Sequence, residues 1–160
     1  GDGLKLTQIR LGIARLTHCM RWLGMAKRAI EICMPYVAER ENFGAKLADH
    51  EGVQWMLGEA AMEIQIGRLL TMHAAWKLDQ GDFARKEVSM AKIAVADLLH
   101  KCIDTAIQLM GAKGYSGDTR LDWMYRYARQ ARLVDGASEV HKMVLARFLI
   151  QEGGDFWRWE

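Results

Sequence analysis

Apolar residues return every three to five positions through Leu11, Leu16, Cys19, Leu23, Ala26 and Ile30, with polar residues between them. That period marks one face of an amphipathic helix and predicts a single long helix over about 7–40. Pro35 should bend it near its end, since proline removes a backbone donor and crowds the preceding turn. Glu41-Asn42-Phe43-Gly44 then breaks the period and reads as a turn. A second stripe, Val53, Met56, Leu57, Ala60, Ile64, Leu69, Met72 and Trp76, predicts a helix over about 49–80 with that face inward. Gly81 supplies its stop and Asp82 a cap for a third helix reaching about 110. The inner positions of that helix are Val88, Ala91, Val95, Leu98, Cys102 and Ile103.

After Met110 the pattern changes. Gly111, Gly114 and Gly117 punctuate a loop, residues 121–130 suit a short helix, and 132–137 break again. Ser138 stands where it would cap a last helix over about 139–151. Gly153-Gly154 opens a tail in which Trp157 and Trp159 stand apart. Long helices on short connections pack antiparallel, so the expected fold is all-α: an up-down four-helix bundle over 1–152, then a tail over 153–160.

Composition agrees and removes several function classes. Hydrophobic residues make up 51% of the chain, enough for a bundle to bury a core, and there is one proline. The formal charge is +2 and the basic residues are scattered, which argues against nucleic acid as a partner. No apolar run approaches the roughly 20 residues of a membrane span, and Gly1-Asp2-Gly3-Leu4 lacks the features of a secretion signal. Cys19, Cys33 and Cys102 are odd in number and widely spaced, reading as buried hydrophobes of a reducing compartment. They carry no metal-site spacing. A di-iron bundle would need two Glu-x-x-His pairs, and the sequence offers only Asp97-x-x-His100. No metal is expected.

Five short motifs say more. Glu39-Arg40-Glu41-Asn42-Phe43-Gly44-Ala45-Lys46-Leu47 resembles the E-R-x-x-F-G-x-x-L segment of acyl-CoA dehydrogenases. Gln108-Leu109-Met110-Gly111-Ala112-Lys113-Gly114-Tyr115 resembles that family's Q-x-x-G-G-x-G-[YF], and Tyr125-Arg126-Tyr127-Ala128-Arg129 its Y-R-D-A-R. Val134-Asp135-Gly136-Ala137-Ser138-Glu139-Val140 resembles E-G-T-S-E-I, and Leu145-Ala146-Arg147 matches a closing I-A-R. The order and spacing are the family's, over residues from about 10 to 150. The phrase Ala14-Arg15-Leu16-Thr17-His18-Cys19-Met20-Arg21 is similar to the branch of its members ten and eleven.

The resemblance implies the C-terminal bundle of an FAD-dependent enzyme that takes the α-proton and β-hydride from an acyl-CoA thioester. The family's N-terminal helical and middle β-domains are absent from this chain, so it is not expected to act alone. Asp135 stands at the position of the catalytic base, where the family usually has glutamate. Read without the resemblance, Asp135-Gly136 is an ordinary turn pair before a helix. Some branches place the base just before the arginine that corresponds to Arg15, but here that residue is Ala14. Arg15 would orient the base or meet the CoA chain; otherwise it is a solvated helix position.

The family's flavin contacts fall on Arg40, Phe43, His50, Gln108, Gly111, Gly114, Ala137 and Glu139, several of them reaching the flavin of a neighbouring subunit. Ala137 replaces the usual threonine, and Glu51 a common glutamine for which Gln54 is a substitute. The implied partners are an acyl-CoA, copies of the same chain in a dimer or tetramer, and electron-transferring flavoprotein. The implied locations are mitochondrion or peroxisome, or the cytoplasm of a bacterium. Two other readings stay open: a flavin oxidase of the same superfamily, acyl-CoA or nitroalkane type, and a bundle kept only for oligomerisation.

Overall fold

The computed structural model describes residues 1–158; Trp159, singled out in the sequence, and Glu160 lie outside the described residues. The first long helix, α1 (Gly3–Glu39), starts earlier than its periodicity suggests and runs through Pro35, which sits in the last turn where little helix remains to disturb. A two-residue hairpin follows, β1 (Glu41–Asn42) paired antiparallel with β2 (Ala45–Lys46). Its turn residues Phe43 and Gly44 both have positive φ, 52° and 80°, as a primed hairpin turn requires. Then come α2 (Glu51–Asp79) and α3 (Arg85–Met110). Gly81 ends α2 with φ +84°. Asp82 does not cap α3 directly: its carboxylate accepts from the Ala84 N–H, and the helix starts one residue later. A single turn, α4 (Ala112–Tyr115), lies inside the glycine loop, and α5 (Leu121–Ala128) continues as a 3-10 turn over Arg129–Arg132.

The last helix, α6 (Ser138–Glu152), corrects the expected cap. Ala137 is its N-cap, and Ser138 is the first helical residue with a buried, unpartnered hydroxyl. The reason is the turn just before it, where Asp135 and Gly136 both have positive φ and swing the chain into the helix one residue early. The first part of the tail is folded too. A 3-10 turn over Gly153–Trp157 lays Phe156 against the Lys86 ammonium, 5.1 Å away, while Lys86 pairs with Glu152 at 2.7 Å.

The architecture is the all-α up-down bundle that the pattern predicts. α3 is its axis, buried against α1, α2, α5 and α6 through Val95, Leu99, Cys102 and Ile103, all without solvent exposure. Each such aliphatic side chain contributes about 1.5–3 kcal/mol by leaving water. Helix α2 approaches closely at Gly67, where an added Cβ would lie 2.5 Å from Leu98 and 3.0 Å from Leu23. The expected inner face of α2 holds for its first half, where Val53, Met56, Leu57, Ala60 and Ile64 pack on the core. It fails for Leu69, Met72 and Trp76, which are exposed; Gly67, Thr71 and Ala74 are buried instead. All three cysteines are buried and free. Burial pushes the thiols of Cys19 and Cys102 up to about 12 and that of Cys33 up to about 11. No helix among the described residues is long and apolar enough to cross a membrane.

Candidate functional site

With α2 reversed between them, α1 and α3 run parallel, so their N-terminal halves share one end of the molecule and their C-termini the other. The Asp135-Gly136 turn docks on the first of these ends. Arg15 Nε donates to the Asp135 carbonyl at 2.8 Å, and His141 Nε2 meets the same oxygen at 3.3 Å. Lys92 Nζ donates to the Gly136 carbonyl at 2.8 Å. Ser89 holds the other ring nitrogen of His141 at 3.1 Å. Three helices thus grip two successive carbonyls with two cations and an imidazole. Asp135 can then be held at φ +54°, a left-handed conformation that costs a non-glycine residue roughly 1–2 kcal/mol. Gly136, at φ +97°, is close enough to His141 that a Cβ would sit 3.0 Å from Nε2.

The carboxylate of Asp135 takes no hydrogen bond from this grip. Its Oδ2 lies 2.6 Å from His18 Nε2, close enough for an ion pair but out of line for a hydrogen bond, so the oxygen has no hydrogen-bonding partner among the described residues. His18 stacks on Trp22, with ring centres 5.4 Å apart, and its Nδ1 meets Arg21 Nη2. The backbone N–H of Asp135 also has no acceptor among the described residues. Hydrogen bonds run from Val134 N to Gln130 O and resume with Val140 N to Ala137 O. The residue therefore presents both a carboxylate and an N–H donor, while its carbonyl is doubly bound.

Burial tunes the surrounding groups. Lys92 is fully buried, and desolvation lowers its ammonium from the usual lysine range, against the pull of Cys19, Asp135 and Glu139. Desolvation likewise lowers His141, aided by the cations Arg15 and Lys92, and lowers Arg15, partly offset by Asp135. Lys92, His18, Ser89 and His141 were not singled out in the sequence. A signal existed for Lys92: it falls between Val88 and Val95 on the apolar stripe of α3, where a charged residue is out of place.

Of the residues that the resemblance nominated, the structure brings Arg15 and Asp135 together, with Ala137 and Glu139 opening α6 beside them. Arg40, Phe43 and His50 lie elsewhere, on the hairpin and the start of α2. Arg40 is 25 residues beyond Arg15 on a continuous helix, about 37 Å along its axis. Phe43 is 92% exposed, Arg40 is exposed without an ion pair among the described residues, and His50 Nε2 meets the Asn42 carbonyl at 3.0 Å. Gln108 and Gly111 are exposed at the end of α3, and Lys113 of the adjoining turn lies 5.6 Å over the Tyr36 ring at the end of α1. The hairpin and the glycine loop therefore occupy the same end. An unpaired guanidinium, a bare aromatic ring and Gly111, with nothing within 4 Å of a Cβ there, suit a large anionic, aromatic ligand arriving from outside. Gly114 differs: it is buried, and a Cβ would strike Ile107 at 2.9 Å, so the packing of the turn itself requires glycine there. Asp97 is paired with Arg132 at 2.8 Å and His100 packs on Tyr125, along a groove of about 620 Å³ that does not include Asp135.

Comparison with known proteins completes the picture. Residues 1–150 match the model of the acyl-CoA dehydrogenase C-terminal domain. Acyl-CoA dehydrogenase family member 11 of Gallus gallus is 43% identical over 150 residues, covering 92% of this chain and 19% of that protein. The (R)-benzylsuccinyl-CoA dehydrogenase of Thauera aromatica is 36% identical over 154 residues, covering 96% of this chain and 38% of that protein. Glutaryl-coenzyme A dehydrogenase in its glutaryl-CoA complex superposes with a TM-score of 0.89 at 30% identity, over 99% of this chain and 40% of that one. The chain thus spans well under half the length of these relatives. By sequence and by fold, it belongs to the acyl-CoA dehydrogenase family as a C-terminal domain.

Proposed function

We propose that this chain is the C-terminal part of an FAD-dependent acyl-CoA dehydrogenase, with Asp135 as the base that takes the α-proton of the thioester. The observation that carries the reading is the presentation of Asp135: a carboxylate and an unclaimed backbone N–H on one residue, held by Arg15, His141 and the neighbouring Lys92 contact. An α-proton beside a thioester is weakly acidic, so abstraction needs a positioned base and a donor for the developing enolate oxygen. The carboxylate supplies the first and the N–H the second. Arg15 and Lys92 fix the backbone that carries both, so neither group must reorganise as charge develops. When bound, the flavin supplies the acceptor for the β-hydride. Arg40, Phe43, Gln108 and Gly111 would hold the flavin of a neighbouring copy, and Ala137 and Glu139 lie on the side of the chain's own.

Electron-transferring flavoprotein is the proposed electron acceptor. Copies of this chain are the proposed structural partner, supported by the exposed apolar row Trp55, Met62, Ile66, Leu69 and Trp76 on α2. The test is anaerobic mixing of the full-length flavoprotein with a panel of acyl-CoAs. An acyl-CoA of the right shape should bleach the visible flavin band, and Asp135→Asn should slow this by about 10²–10⁴-fold. Bleaching at an unchanged rate in that variant would remove Asp135 from the mechanism.

A further inference from the structure

The backbone of Asp135 is gripped by Arg15 and His141, but its carboxylate is not. The one described side chain that reaches it is His18, whose Nε2 lies 2.6 Å from Oδ2. His18 is itself fixed on two sides. It follows Arg15 by one helical turn of α1, its ring stacks on fully buried Trp22, and its Nδ1 faces Arg21 Nη2. Arg21 is in turn set over the Tyr127 ring of α5 at 5.9 Å. A guanidinium has only donors to offer, so Nδ1 is the acceptor of that contact and the ring proton sits on Nε2, toward Asp135.

Resting on the reading of Asp135 as base, we infer that His18 is its positioning residue, held by Arg21 as the Nε2–H tautomer. His18 confines the buried oxygen Oδ2 and leaves Oδ1 to meet the α-carbon. In the proton transfer the α C–H bond breaks, the proton passes to Oδ1, and the electron pair stays on the thioester enolate. The Nε2 proton remains on His18 throughout. Nε2 and Oδ2 are already within hydrogen-bonding distance, so a rotation that aligns the ring N–H with the carboxylate makes the bond without moving the backbone. The loop does not depend on this contact for its shape, because Arg15, His141 and Lys92 hold the backbone of residues 135 and 136. Loss of His18 should therefore spare the fold and disperse the carboxylate. A base displaced by about 1 Å costs on the order of 10²-fold in rate.

The test uses the full-length protein with its flavin and three variants: His18→Leu, His18→Gln, whose amide N–H reaches as far as Nε2, and Asp135→Asn. Two rates are read: flavin bleaching at saturating acyl-CoA, and α-proton exchange into deuterated water of an acyl-CoA with no β-hydrogen. The second reads proton abstraction without any hydride transfer. His18→Leu should lower both rates by about 10²-fold with little change in thioester affinity, and His18→Gln should restore most of each. Full rates in His18→Leu beside an inert Asp135→Asn would overturn the inference and leave the base in place. Equal losses in both His18 variants, with weakened thioester binding and a lower melting temperature, would overturn it in favour of a structural role. Activity in Asp135→Asn, or neither reaction in the unsubstituted protein, would overturn the base assignment and this inference with it.

Discussion

At the scale of single residues, the site is a set of polar groups whose charge is controlled by burial. His141 shows the consequence for stability. Desolvation, then Arg15 and Lys92, lower it below the ordinary 6.5, and His100 is lowered by burial and Arg132. Below that ordinary value the unfolded chain binds protons that the folded chain refuses, so stability is full above 6.5 and falls as the solution is acidified through it. Melting temperature should therefore decline between about pH 8 and about pH 5, with a shallower slope in His141→Gln. A flat profile would mean that the His141 site is open to water. Asp135 and Arg15 were legible as a pair because a motif marks the first and a familiar phrase the second. His18, Ser89, Lys92 and His141 were not, because they converge from three helices and no local spacing joins residues 18, 89, 92 and 141.

At the scale of elements, periodicity located the helices well, since stripes such as Val88, Ala91, Val95 and Leu98 admit no other packing. The ends were less legible: the N-cap of α6 depends on the φ of Asp135 and Gly136, which residue type does not fix. The glycines of α2 separate local propensity from packing. Gly58 is exposed with nothing near a Cβ, so Gly58→Ala should stabilise by about 0.5–1 kcal/mol through helix propensity alone. Gly67→Ala gains the same propensity but drives a methyl into Leu98 and Leu23, and should destabilise by about 1–3 kcal/mol. Chemical denaturation of the two variants checks the opposite signs.

At the scale of the whole molecule, α2 carries two apolar faces. Val53, Ala60, Ile64, Gly67, Thr71 and Ala74 turn inward, and Trp55, Met62, Ile66, Leu69 and Trp76 turn to solvent on the opposite side. A single inward stripe does not describe such a helix, so its period places Leu69, Met72 and Trp76 in the core where the structure exposes them. On the proposed function, this outer apolar face is where copies of the chain associate. The double variant Ile66→Glu, Leu69→Glu of the full-length protein should sediment as a smaller species than the parent, at unchanged helicity. An unchanged sedimentation coefficient would place self-association on another face.

The length of α1 has a further consequence. Arg15, in the N-terminal half of α1, and Arg40, at its C-terminal end, stand about 37 Å apart along one rod. On the proposed function, the Asp135 end serves the reaction centre of its own chain and the hairpin end serves that of a neighbour. Lesions at the two ends then behave as separate complementation groups. A copy defective at residue 135 can lend its intact hairpin to a companion defective at residue 40, and the mixed pair regains one working centre that neither parent possesses.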